Sequence, residues 1–115
     1  MGASIYQELY QPEDFADNCL FCDDGNYHVY YWENEIGKVF YVGSGIERRY
    51  RDTVSRSDEF KEYISKHKCR PLIAAFGMSK DNARKFEADL IEIYRGLDFP
   101  LQNVLRGGCM PLYPG

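Results

Sequence analysis

Not one lysine or arginine occurs in the first 37 residues of this 115-residue chain; all 14 basic residues lie from Lys38 onward. The start of the chain (Met1-Gly2-Ala3-Ser4) therefore lacks the basic-then-apolar pattern of a secretory signal, and none is expected. No run of about 18 apolar residues occurs either, which excludes an ordinary membrane-spanning helix. Together these absences predict an intracellular protein, cytoplasmic or placed with the nucleoid or nucleus, and no membrane partner. A second close cysteine pair is also missing. Cys19 and Cys22 have the spacing of a zinc knuckle, but Cys69 and Cys109 stand alone, so all four read as ordinary thiols in a reducing compartment. There is no internal repeat and no low-complexity segment.

What is present suffices for one compact domain. Hydrophobic residues make up 44% and aromatic residues 16%, enough apolar mass for a single core without staples. The overall charge of −4 conceals a division: the first 37 residues carry −8 and the remainder carries +4. A basic body suits a polyanionic partner, while the acidic lead reads either as a solvated tail or as a functional arm.

Along the chain, residues 1–25 read as an irregular acidic arm with a short helix around residues 13–20. Residues 27–32 form a β-branched and aromatic run, and residues 39–42 a second, joined by a hairpin connection ending in Gly37. A helix is expected over residues 46–54, with Ile46, Tyr50, Thr53 and Val54 on its inner face. Ser57 caps a second helix, with Phe60, Tyr63 and Ile64 as its apolar stripe. Residues 71–76 read as a third strand, and Ser79 starts a long helix to about residue 95. The order β-β-α-α-β-α predicts an α+β domain: a small three-stranded antiparallel sheet flanked by helices. The expected organisation is an acidic arm (1–25), one folded domain (26–106) and a tail (107–115).

Two helical positions suggest chemistry. Ala83, Phe86, Leu90, Ile91 and Tyr94 share one apolar face of the long helix, and Glu87 projects within it. A carboxylate on a core-facing stripe must be paired, protonated or bound to a cation. In the first helix Arg49 borders the inner face while Arg48 and Arg51 point further away, so Arg49 is the arginine sent toward the sheet. Its planar fork fits a phosphate oxygen pair. Tyr30 and Tyr41 lie on adjacent strands and, taken alone, read as cross-strand packing.

In combination these residues resemble a known family. His28-Val29-Tyr30, ten intervening residues and Tyr41-Val42-Gly43 are similar to the two-part motif that names the GIY-YIG nucleases. Glu47-Arg48-Arg49 resembles the arginine-bearing start of that family's first helix. Ala83 and Glu87 resemble the helix carrying its metal-binding glutamate, and Leu101-Gln102-Asn103 its asparagine element. The resemblance spans residues 27–106 in the right order. His28 stands where the motif has its first glycine, and there a strand histidine facing solvent is expected. Thr53 stands where the family often has Tyr or His.

The resemblance implies an endonuclease that hydrolyses phosphodiester bonds with one Mg²⁺ or Mn²⁺. Glu87 would hold the metal, Arg49 would stabilise the pentacoordinate phosphate, and Tyr30 with Tyr41 would position or deprotonate the attacking water. Asn103 would brace the site. Gly43, Ser44, Arg48, Arg51 and His28 would contact substrate. The implied partner is nucleic acid, DNA before RNA, with a protein partner or second copy engaging the acidic arm. The alternative is a catalytically weak module of the same fold that binds nucleic acid or a protein.

Overall fold

The computed structural model describes residues 10–96. A short 3-10 turn (Pro12–Asp14) leads into β1 (Phe15–Phe21), then β2 (Tyr27–Glu33) and β3 (Val39–Ile46). A second 3-10 turn (Glu47–Arg51) follows, then α1 (Asp58–Lys66), β4 (Arg70–Met78) and α2 (Lys80–Gly96). The α+β class is as expected, but the sheet is not the three-stranded antiparallel one. It has four strands in the order β1-β4-β2-β3, with β1 parallel to β4 and the other pairs antiparallel.

The added strand is β1, where an irregular arm with a short helix was expected. Asp17 and Asn18 interrupt its middle, Leu20 and Phe21 are exposed, and only Ala16 is buried, so no apolar alternation marks it. Its formation is explained from the other side. Without β1, the outer N–H and C=O groups of β4 would be left unpaired. Phe15 pairs with Ile73 and Leu20 with Ala75 across that edge.

The expected helix at residues 46–54 is replaced by the 3-10 turn. Ile46 and Val54, placed on its inner face from spacing, are exposed, whereas Tyr50 is fully buried. The backbone carbonyls that an α-helix would pair with amides four residues on are taken by side chains here. Trp32 Nε1 donates to the Tyr50 carbonyl (2.9 Å), and Arg56 donates to the carbonyls of Arg49 (2.6 Å) and Asp52 (2.7 Å). By contrast α1 begins as its cap predicts, with Ser57 Oγ accepting from the Phe60 amide at 3.2 Å.

The sheet is covered on both faces. Val29, Val42, Ala75 and Met78 pack under Ala83 and Ile91 of α2. On the other face Tyr30, Trp32, Phe40 and Ile73 pack with Tyr10, Tyr50 and Phe60. Strand β2 is central in the sheet and has a packed layer on each face, and its alternation sorts Val29 to one layer and His28, Tyr30 and Trp32 to the other. Strand β3 ends the sheet and pairs with no further strand among the described residues.

Candidate functional site

Tyr30 pairs with Gly43 across the β2–β3 ladder. A Cβ on Gly43 would lie 2.7 Å from the Tyr30 hydroxyl and 3.1 Å from the Tyr41 ring, so only glycine leaves room for both phenols. This gives the Tyr41-Val42-Gly43 spacing a physical reason. The two rings are near parallel (19°), with centroids 6.4 Å apart. Burial pushes the Tyr30 phenol well above its ordinary value, and the nearby Arg56 guanidinium only partly opposes that. Tyr30 therefore keeps its proton at neutral pH. Tyr41 is half-buried.

The arginine at these tyrosines is Arg56, which sequence reasoning did not single out. Its guanidinium carbon lies 5.4 Å from the Tyr30 ring centre, 5.1 Å from that of Tyr41 and 5.3 Å from that of Phe60. Nη1 donates to the Tyr41 hydroxyl at 3.4 Å. Arg49, the expected phosphate ligand, runs its side chain over Gly45, where a Cβ would meet the Arg49 Cβ at 2.8 Å. Its Nη1 is held by Asp52 (3.0 Å) and Ser55 (2.9 Å). Hydrogen bonds, first from Ser55 and then from backbone amides, keep the Asp52 carboxyl below its usual range. With Arg48 and Arg51, Arg49 lines an open depression of about 560 Å³ that also includes Asp52 and Thr53.

Glu87 is 3% exposed, as its place in the apolar stripe of α2 predicts. Ser44, the residue after Gly43, donates its hydroxyl to Glu87 Oε1 at 2.7 Å. Ser44 thus acts on a carboxylate, a role the sequence did not indicate. Strand alternation places Gly43 on the tyrosine face and Ser44 on the α2 face. The carboxylate and the phenols meet the same two-residue stretch of β3 from opposite faces, beside that strand's outer edge. A single carboxylate with an alcohol donor suits a hard, largely hydrated cation such as Mg²⁺ or Mn²⁺. Among the described residues no group of three or more His, Cys, Asp or Glu side chains is arranged to hold a metal ion. Cys19, Cys22 and Cys69 are free thiols, and burial raises those of Cys19 and Cys69 to about 11.

His28 does not face solvent as expected; it is fully buried. Its ring meets those of Tyr10, Tyr30 and Tyr50 at 6.0, 5.7 and 5.5 Å between centroids. Nε2 lies 2.9 Å from the backbone carbonyl of Glu47, and Nδ1 has no hydrogen-bond partner among the described residues. Glu47 sits at φ 53°, a left-handed conformation that a non-glycine side chain disfavours by about 1–2 kcal/mol. His28 thus braces the strained first residue of the arginine-bearing turn.

The residues fall into three adjoining groups: Tyr30, Tyr41, Gly43 and Arg56; Ser44 and Glu87; and the turn with Arg48, Arg49 and Arg51. Asn103 lies outside the described residues. Comparison with protein-family models, curated proteins and solved structures returned no match. The likeness to GIY-YIG nucleases accordingly rests on the motifs and their order in the chain.

Proposed function

We propose that this chain is a metal-dependent endonuclease of the GIY-YIG type, cutting phosphodiester bonds in nucleic acid, DNA before RNA. The observation that carries the reading is the buried Glu87 carboxylate held by Ser44, beside the strand segment against which the Tyr30 hydroxyl rests. Mg²⁺ or Mn²⁺ on Glu87 would supply charge neutralisation at the scissile phosphate. The substrate backbone would run along the outer edge of β3, with Arg48, Arg49 and Arg51 gripping phosphates in the depression beside it. Tyr30, buried and protonated, would orient the reacting groups by donating its hydroxyl hydrogen. Tyr41, half-buried, is the phenol placed to reach the attacking water.

A binding module is the second reading, and two observations favour it. Arg49 is already paired with Asp52, and Thr53 cannot replace an acid–base side chain. One experiment separates the two. Supercoiled plasmid, single-stranded DNA and RNA are incubated with the protein and Mg²⁺ or Mn²⁺. Nicking that disappears in Glu87→Gln and in Tyr30→Phe is the expected result. Binding without cleavage establishes the module instead, and absence of binding at low salt overturns both.

A further inference from the structure

We propose that Arg56 is the positioning residue of the tyrosine site, clamping the arginine-bearing turn onto the Tyr30–Tyr41 pair and supplying the positive field there. Its catalytic consequence rests on the nuclease reading; the clamp itself does not.

Three observations carry the inference. First, Arg56 is only 6% exposed, yet no ion pair involves it among the described residues. Burying a guanidinium with no carboxylate in direct contact is costly, Asp52 acting on it only at longer range, and an apolar side chain would fill the space more cheaply. A cation retained there is matched to an electron-rich surrounding: three aromatic faces, two carbonyls and a phenol oxygen. Second, its fork is divided. Nε and Nη2 take the carbonyls of Asp52 and Arg49, the last turn of the segment that presents Arg48, Arg49 and Arg51. Nη1 reaches the Tyr41 hydroxyl. One rigid side chain therefore sets the spacing between the phosphate-gripping turn and the phenols. Third, the charge of Arg49 is offset by Asp52 at 3.0 Å, so the positive field at the tyrosines comes first from Arg56. Lysine could keep that charge, but a single ammonium cannot span two carbonyls and a phenol in a fixed plane.

Full-length wild type, Arg56→Lys and Arg56→Met are compared by two measurements. Amide hydrogen exchange is followed at residues 49–54 and at residues 83–91 of α2 as an internal reference. Cleavage is measured as kcat and KM in parallel. In Arg56→Lys the turn amides are expected to exchange about tenfold faster while those of α2 stay unchanged. Its kcat is expected to fall about 100-fold, the scale of a displacement of roughly 1 Å, with KM rising much less as the phosphate-gripping turn loosens. Arg56→Met lowers kcat further and shifts the alkaline limb of the pH–rate profile upward, because the field that favours phenolate is gone. Unchanged turn exchange, or acceleration spread equally over both segments, overturns the clamp. A raised KM at constant kcat overturns its role at the phenols and leaves Arg56 holding only the phosphate-gripping turn. If wild type cleaves nothing while the turn alone loosens, the clamp holds and the nuclease reading falls.

Discussion

His28 stands where a glycine would be expected from the motif, and its burial turns a sequence departure into a measurable property. Its Nε2 is hydrogen-bonded to the Glu47 carbonyl, so the ring's proton belongs on that nitrogen and Nδ1 carries a lone pair that no described residue engages. Burial pushes the imidazole below its ordinary value. An unfolded chain therefore takes up the proton at higher pH than the folded one, and stability is lost as pH falls from about 6.5 toward the lowered folded value. The groups facing the ring are Tyr10, Tyr30 and Tyr50, with Asp14 behind the Tyr50 hydroxyl at 3.0 Å. Burial raises the Asp14 carboxyl, which has the opposite effect but in the more acidic carboxylate range. Urea midpoints at about pH 7.5 and 5.5 then isolate the histidine. Wild type should lose stability between them and His28→Gln should lose clearly less; equal losses would remove His28 as the cause.

At the scale of elements, what was legible depended on how local the cause was. Ser57 and Ser79 marked the starts of α1 and α2 because a cap is a contact three residues long; Ser79 Oγ accepts from the Asn82 amide at 3.2 Å. Glu87 was legible because helical periodicity alone puts it among Phe86, Leu90 and Ile91. Strand β1 was not, since its formation answers to the edge of β4, more than fifty residues later, and its own residues are mixed. The 3-10 turn and Arg56 were illegible for the same reason: Trp32, Tyr30 and Tyr41 decide them from other strands. The join between β1 and β4 supplies a test. Gly77 lies at φ 81°, and a Cβ there would collide with the Cys22 carbonyl. Gly37, at φ 84°, has open space around it. Both Gly→Ala changes incur left-handed strain of about 1 kcal/mol. Gly77→Ala adds a backbone clash that forces β1 from β4, so it should cost at least about 2 kcal/mol in urea unfolding. Equal costs at the two glycines would show that β1 adds nothing to the sheet.

For the whole molecule, the charge division at Lys38 takes on structural content. Several acids of the lead segment are joined to the body: Asp14 accepts from Tyr50, Asp24 from Asn82, and Glu33 and Glu35 pair with Arg70 and His67. Deleting residues 1–25 would remove a sheet strand, so that truncation cannot isolate an electrostatic role for the arm. Point changes on the opposite charge can. Arg48 and Arg51 line the depression beside Arg49, whose own charge is engaged by Asp52. If the turn grips phosphates, log affinity for a DNA duplex falls linearly with log salt, and each arginine removed flattens that slope by about 0.9. Arg48→Ala with Arg51→Ala should therefore weaken binding at low salt, equally for unrelated sequences, because phosphate contacts carry no base information. Fluorescence anisotropy of labelled duplexes across a salt series measures both. A slope unchanged in the double variant would move the nucleic-acid path away from this turn, and with it the claim that substrate crosses the outer edge of β3.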